Sequence, residues 1–226
     1  MRPYIICHMM SSVDGRIDCT MTEEMEPSNI YYDALDKLEC PTQLAGRVTM
    51  QMHFADGEQF VATDNTPLGK EAFHIAAKAD GYSVAMDTHG KLRWPSNHYE
   101  GRPLLVAVCE DCAAEYLEAL TRQGISWIAT GKGSIDLNRL VETLSDNFWV
   151  RRMAVVGGGH INGGFLAAGL LDEVSVMIGS GIDGRKGMAA VFDGLQMNQP
   201  LTHLNLKSVE RANAGTVWLR YDVVRH

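Results

Sequence analysis

Short apolar runs alternate with amphipathic segments along most of this chain, and this alternation limits the folds open to it. Between residues 102 and 179, each apolar run is separated from the next by a segment with helical spacing of apolar residues, such as AAEYLEALTRQG and DLNRLVETLSDN. Repeated strand–helix units predict an α/β fold with a mixed sheet flanked by helices. The predicted strands of this part are 81–87, 102–110, 125–130, 150–156 and 173–179.

Both ends of the chain add strands to this pattern. RPYIICHMM, at residues 2–10, predicts a first strand, within which His8 is interpreted as a sheet histidine rather than a catalyst. Two alternating segments, 202–210 and 216–224, predict a C-terminal antiparallel hairpin. Residues 55–80 are polar and irregular, which indicates an excursion from the core. No linker interrupts the chain, so a single domain over residues 1–226 is expected.

Charge and cysteine content exclude several classes of protein. The chain has 20 Lys and Arg against 28 Asp and Glu, a net charge of −8, without a basic cluster. This argues against a nucleic-acid partner or an anionic membrane surface, but not against a local anion site. No apolar run approaches the roughly 18 residues of a membrane span. The odd number of cysteines, five, favours a reduced, cytoplasmic protein over a disulfide framework.

Cys109 and Cys112 form a C-x-x-C after a predicted strand. A structural zinc site needs a second pair of ligands at similar spacing, and the other cysteines are scattered. We therefore predict no metal site, and interpret the pair as small residues between a strand and a helix.

Three loops carry the residues suited to bind a ligand, and each follows a predicted strand. VVGGGHINGG, at 155–164, joins a strand to a helix through Gly157, Gly158 and Gly159. Backbone N–H groups at such a helix start suit a phosphate or pyrophosphate. The alternative is a tight turn without a ligand.

The other two loops are AGRVT, at 45–49, and SSVDG, at 11–15. The first places a cation and a hydroxyl at a helix start, which suits a phosphate; otherwise it is a surface turn. The second presents hydroxyls and a carboxylate before a glycine, and otherwise is an Asp-Gly turn. Open α/β sheets bind ligands at the carboxyl ends of their strands. We therefore expect the three loops to converge on one crevice.

The order of these motifs resembles the dihydrofolate reductase-like superfamily. The match runs through S-x-D-G-R-I, G-R-x-T, a late G-G-G and F-L-x-A-G-L-x-D-E, and covers essentially the whole chain. Within the superfamily the chain is most similar to the RibD C-terminal type, the reductase half of the bifunctional riboflavin-biosynthesis deaminase/reductase. The resemblance implies a mixed sheet of about nine strands and an NADPH-dependent reduction of a phosphorylated ribosylaminopyrimidine. It also implies a homodimer.

The resemblance also implies roles for individual residues. The cofactor contacts would come from Gly46, Arg47, Thr49, Gly157, Gly158, Gly159, His160 and Ile161, with Arg47 on the 2′-phosphate. The substrate contacts would come from Ser11, Ser12, Asp14 and Asn162. Asp14 or a water molecule would supply a proton.

Two departures from the family pattern leave alternatives open. Reductases of this type commonly carry a glutamate before the glycines, where this chain has Val156. Asp87 follows the strand near the expected adenosine ribose and would favour a free 2′-hydroxyl, so NADH is an alternative cofactor. The alternative functions are a dihydrofolate (pteridine) reductase-like enzyme and a catalytically silent nucleotide-binding homologue.

Overall fold

The strands and helices follow one another in the alternating order that the sequence predicts. A computed structural model describes residues 2–25, 29–213 and 215–225, and these residues form eleven strands and six helices. In chain order they are β1 (Tyr4–Ser11), α1 (Cys19–Met25), α2 (Asn29–Lys37), β2 (Thr42–Gly46), α3 (Arg47–His53), β3 (Ala72–His74), β4 (Ser83–Met86), β5 (His98–Tyr99), β6 (Arg102–Val108), α4 (Ala114–Arg122), β7 (Ser126–Ala129), α5 (Leu137–Asn147), β8 (Arg152–Val155), α6 (Gly159–Ala167), β9 (Glu173–Ile178), β10 (Leu204–Arg211) and β11 (Val217–Val223).

The fold divides into two compact units. The first consists of Arg2, Pro3 and residues 41–153, and the second of the described parts of residues 4–40 and 154–226. The last two residues of β8 and the glycine loop after it therefore belong to the second unit, together with β1.

The first unit is built on parallel strands in the order β2-β4-β6-β7. The strand β6, RPLLVAV, is buried over its last five residues, as expected of a parallel strand covered on both faces. The helix α5 begins at an Asp136 cap, whose carboxylate accepts from the N–H groups of Asn138 and Arg139 at 3.0 and 3.1 Å. The short strands β3 and β5 pair antiparallel with β7 and β6.

Residues 55–80 leave the core, as predicted, but are tied to α4 and return to the sheet as β3. Glu115 accepts hydrogen bonds from the N–H groups of Thr63 and Asp64 at 2.8 and 2.7 Å. The sequence of β3 has no strand periodicity, which is why this strand was not predicted.

In the second unit, β1 pairs parallel with β9, and the C-terminal hairpin β10–β11 adds antiparallel strands to β9. The α/β class and the C-terminal hairpin are thus confirmed. The hairpin is secured by Glu173, which is fully buried and accepts from Arg220 Nε at 2.5 Å and Lys207 Nζ at 2.6 Å. Burial raises the pKa of Glu173, but the two cations outweigh it and hold the pKa below its ordinary value.

His8 lies in the middle of β1 within a satisfied polar network. Its Nε2 lies 3.3 Å from the carbonyl oxygen of Tyr31, so this nitrogen is the donor. Its Nδ1 accepts from the Ser175 hydroxyl at 2.9 Å, and Ser175 Oγ in turn accepts from Trp218 Nε1 at 2.8 Å. Burial lowers the pKa of His8 to about 4, so the ring is neutral, and its interpretation as a sheet histidine is confirmed.

Among the described residues, no helix is both long enough and apolar enough to span a membrane.

Candidate functional site

The first strand of the second unit ends in a tight turn built from its own polar side chains. Ser12 Oγ donates to Asp14 Oδ1 at 2.7 Å and accepts from the N–H of Arg16 at 3.1 Å. Gly15 has φ +77°, a left-handed conformation that favours glycine. Ser11 and Ser12 are both buried. The structure therefore gives Ser12 a role in the turn, where a substrate contact was predicted.

The carboxylate of Asp14 is saturated with hydrogen-bond donors. Besides the Ser12 hydroxyl, it accepts from the N–H of Asp183 at Oδ1 and the N–H of Gly184 at Oδ2, both at 3.0 Å. The Ser12 hydroxyl and these two amides hold the pKa of Asp14 well below its usual range. Such a carboxylate stays ionised at neutral pH and has no proton to give. The catalytic role of Asp14 stays a prediction, and these hydrogen bonds give the residue a structural role at the turn.

Residues 179–194, which we call the covering segment, connect β9 to the C-terminal hairpin and fold back over the end of β1. Gly179 donates its N–H to the carbonyl of Ser11 at 2.9 Å, and Val13 donates to the carbonyl of Gly181 at 2.8 Å. Arg16 Nη1 donates to the carbonyl of Met188 at 2.9 Å. Sequence reasoning did not assign the covering segment to the site. Its five glycines, at 179, 181, 184, 187 and 194, are the signal that could have found it.

Two glycines of the 155–164 loop make room for the covering segment. A methyl group at Gly159 would overlap the carbonyl oxygen of Ala190, and one at Gly163 would overlap the carbonyl oxygen of Asp193. The N–H of Asp193 donates to the carbonyl of Gly159 at 3.0 Å. These two glycines therefore allow backbone to pack on backbone.

The side chains after the glycines also face the covering segment. Asn162 is fully buried, and its Nδ2 donates to the carbonyl of Val191 at 2.7 Å. Asn162 thus anchors the covering segment through Nδ2, and its role as a substrate contact stays a prediction. His160 is exposed beside Gly194, and Ile161 is partly buried.

Gly157 and Gly158 serve the loop in different ways: Gly157 is buried beside Met9, and Gly158 leaves its backbone open. Gly157 has φ +112°, which excludes other residues without strain. Gly158 caps α6 without a side-chain hydrogen bond, and a methyl group there would meet nothing within 4 Å. The first turn of a helix carries N–H groups without intrahelical partners and a positive dipole end, so this position can hold an anion.

Gly46, Arg47 and Thr49 lie in the first unit, where β2 passes directly into α3. Gly46 caps the helix in an extended conformation. Arg47 is exposed, and its Nη1 donates to Gln51 Oε1 at 3.2 Å. A guanidinium has five N–H donors, so this contact leaves donors for a phosphate.

Asp87 lies at the end of β4 and is fully buried. Its Oδ2 accepts from the Tyr116 hydroxyl at 2.9 Å and from the N–H of Leu92 at 2.8 Å. Trp94 Nε1 in turn donates to the Tyr116 hydroxyl at 2.9 Å. The carboxylate therefore secures the loop after β4 through Oδ2, and its role as a ribose contact stays a prediction.

Both cysteines of the C-x-x-C are buried free thiols. Burial, followed by the charges of Asp87 and Cys109, raises the pKa of Cys112 to about 12. A thiol with this pKa is not a nucleophile at neutral pH. Among the described residues, no group of three or more His, Cys, Asp or Glu is arranged to hold a metal ion.

A cavity of about 310 Å³ lies between α1 and the covering segment. The helix α1 follows the carboxyl end of β1, and the covering segment follows the carboxyl end of β9. These two strands pair in parallel, so both walls lie at the same edge of the sheet. Arg185 links the two walls through salt bridges to Asp183 and Asp18, each at 2.6 Å. The lining residues are Asp18, Thr20, Met21, Glu24, Ile182, Asp183 and Arg185. Its volume is in the range of small-molecule sites.

Residues 3–218 match the model of the RibD C-terminal domain. The chain belongs to the RibD C-terminal domain family. A family relative from Methanothermobacter thermautotrophicus, 2,5-diamino-6-ribosylamino-4(3H)-pyrimidinone 5′-phosphate reductase, is 26% identical over 202 residues, or 86% of this chain and 85% of the relative.

Solved structures show the same fold at lower identity. A pyrimidine reductase-like protein from Corynebacterium diphtheriae superposes with a TM-score of 0.74 at 15% identity, covering 99% of this chain and 93% of that one. RibD from Acinetobacter baumannii superposes with a TM-score of 0.71 at 20% identity, covering 99% of this chain and 58% of that one.

Within this RibD C-terminal domain, the residue before the three glycines is apolar. Val156 packs against a hydrophobic cluster that includes Ile6, Leu35 and Trp218. Val156, where the family resemblance led us to expect a glutamate, contributes to the core of the second unit.

Proposed function

We propose that this chain is an NADPH-dependent reductase of a phosphorylated ribosylaminopyrimidine in riboflavin biosynthesis. The observation that carries the proposal is the family match over residues 3–218, together with a relative named as such a reductase that aligns over 86% of the chain. We also propose that residues 1–226 act as one reductase domain.

Each unit carries residues that suit one part of a dinucleotide. In the second unit the open backbone at Gly158, beside Gly157, His160 and Ile161, suits the pyrophosphate, and in the first unit Arg47 suits the 2′-phosphate. NADPH supplies the hydride; the protein orients the partners and excludes water. Asp87 is buried and bound to Tyr116 and Leu92 through Oδ2, and NADH stays the alternative cofactor.

The proton for the reduced carbon comes from water in this proposal. Asp14 is ionised and bound by donors. A proton donor must carry its proton at the operating pH, which Asp14 does not.

Val156 supports a second candidate, a nucleotide-binding protein without turnover. Its side chain leaves an apolar residue where related reductases commonly place a carboxylate. A folate-type reductase remains the third hypothesis. Binding and turnover measurements separate the three.

We further propose a cytoplasmic homodimer. All five cysteines are free thiols, as in a reducing compartment. One face of the β10–β11 hairpin exposes Leu204, Leu206, Val209 and Val217. An exposed apolar sheet face of this kind is typical of a protein–protein interface.

The first experiment is a titration with NADPH and NADH, followed by quenching of the fluorescence of the four tryptophans. The oxidation of NADPH at 340 nm is then measured with the pyrimidinone phosphate named for the archaeal relative, and with dihydrofolate. Oxidation with the pyrimidinone supports the proposal. Oxidation with dihydrofolate alone supports the folate reductase, binding without oxidation supports the silent homologue, and no binding contradicts all three.

Gly158→Ala tests the pyrophosphate position. The methyl group has open space in the free protein, so the melting temperature should change little, but it would occupy the ligand's place. We expect about tenfold or greater loss of NADPH affinity. The matched control is Gly57→Ala, which also meets nothing within 4 Å. Equal NADPH affinity in both variants would contradict the binding of the pyrophosphate at the start of α6.

A further inference from the structure

Asp14 is an exposed carboxylate that the proposed chemistry does not use, yet it has three donors. Two of these are backbone N–H groups of consecutive residues, Asp183 and Gly184. The carboxylate therefore fixes the path of the backbone there, whatever side chains those residues carry. Gly184 has φ +63°, so the chain turns sharply at the point of attachment.

The part of the covering segment that Asp14 fixes is also a wall of the 310 Å³ cavity. Ile182, Asp183 and Arg185 line it, directly beside the two amides that Asp14 binds. Val13, next to Asp14, adds a hydrogen bond to the carbonyl of Gly181 at 2.8 Å. The opposite wall is α1, none of whose residues is buried, so the cavity has one firmly held wall and one exposed wall.

We propose that Asp14 is a positioning residue that fixes residues 181–187 as a wall of the substrate site, with the cavity beside α1 receiving the part of the pyrimidine substrate that does not react. This inference rests on the proposed reductase function. Asp14 acts through the covering segment and does not touch the reacting atoms. Its contribution is orientation, where a misplacement of about 1 Å is enough to cost a factor of about 100 in rate.

The test uses Asp14→Asn in the full chain. The asparagine offers one acceptor where the carboxylate offers two, so an N–H of Asp183 or Gly184 meets an NH₂ donor. We expect faster tryptic cleavage after Arg185 and Lys186, identified by mass. We also expect a 10- to 100-fold lower kcat/KM for the pyrimidinone phosphate, mainly through KM, with NADPH affinity within about twofold of wild type. Ser12→Ala, which removes one donor, should also speed tryptic cleavage and lower kcat/KM, each by a smaller factor.

Asp64→Asn is the matched control. Asp64 is also exposed and accepts from the N–H and hydroxyl of Thr66 at 2.8 and 2.7 Å, in a turn of the first unit. It should leave both readouts at wild-type values. Cleavage of Asp14→Asn at the wild-type rate overturns the proposal, as does faster cleavage with unchanged kcat/KM. A lost kcat with unchanged KM and a missing acid limb in the pH profile would instead make Asp14 the proton donor.

Failure of the proposed function gives a different pattern. If the wild type binds the pyrimidinone phosphate without oxidising NADPH, the reductase proposal fails and calorimetry decides the positioning role. A 10- to 100-fold weaker Kd in Asp14→Asn then supports it, and an unchanged Kd overturns it. If the wild type does not bind this compound, both proposals are overturned.

Discussion

At the scale of single residues, the polar groups of this protein are mostly committed to holding the chain in place. Asp14 and Asp87 each follow a strand, and each carboxylate accepts a hydrogen bond from the backbone of a loop. From sequence alone both were interpreted as ligand contacts, because a carboxylate after a strand has the same pattern in either role. Only the positions of the donors distinguish them, and those donors come from residues distant in sequence or hidden in a loop.

His8 gives a pH dependence of stability with a definite sign. Its pKa is about 4 in the folded protein against an ordinary value of 6.5, so the unfolded chain binds the proton more tightly. Stability is therefore full above about pH 6.5 and falls as the pH drops from there towards 4. We expect a loss of about 2 kcal/mol between pH 7 and pH 5 from this group, measured by urea unfolding.

His8→Gln isolates this contribution. The variant should be less stable than wild type at pH 7. Between pH 7 and pH 5, however, its stability should fall by about 2 kcal/mol less than that of wild type. His98→Gln, at an exposed histidine, is the control for loss of an imidazole and should keep the wild-type fall. An identical pH dependence in His8→Gln and wild type would contradict the assignment.

At the scale of elements, α6 combines two uses of glycine in a single helix. Gly163→Ala should destabilise the protein by about 1–3 kcal/mol, because its methyl group meets the backbone of Asp193, which cannot swing aside. Thermal unfolding of Gly163→Ala beside Gly158→Ala measures the difference. Similar melting temperatures for the two variants would show that the covering segment can shift away from the added methyl group at little energetic cost.

The C-terminal hairpin depends on a charge cluster at its junction with β9. Glu173→Gln leaves Arg220 and Lys207 without their buried counter-charge, and we expect a loss of about 3 kcal/mol. Chemical unfolding measures it. Glu210→Gln, on the exposed strand β10, is a control that should change stability by less than about 0.5 kcal/mol.

The elements themselves were largely predictable, because their apolar periodicity is strong. The run at 102–110 and the helices α4 and α5 follow the sequence pattern closely. Gly124, two residues after the end of α4, has φ +69°, the left-handed conformation in which a glycine commonly ends a helix. The covering segment was not predictable in the same way, since it has no periodicity and its path depends on glycines that let backbone approach backbone. The sequence could not distinguish the open glycine, Gly158, from Gly159 and Gly163, which pack against the covering segment.

At the scale of the whole molecule, the exposed apolar face of the hairpin predicts association of two copies. Leu206→Lys should lower the molar mass in light scattering to that of the monomer, 24.9 kDa, because the charge would be buried in the interface. Val61→Lys, at another exposed apolar residue, should keep the wild-type mass. A wild-type chain that is already monomeric at micromolar concentration would contradict the dimer.

The path of the covering segment is set by main-chain atoms: the amides of residues 183 and 184 on Asp14, and the carbonyls of residues 190 and 193 over two glycines. The exposed side chains of Ile182 and Lys186 take little part in holding that path. Evolution, or a designer, can therefore exchange these two for others and reshape the cavity while the framework stays intact. A protein built in this way can acquire a new substrate without first having to acquire a new fold.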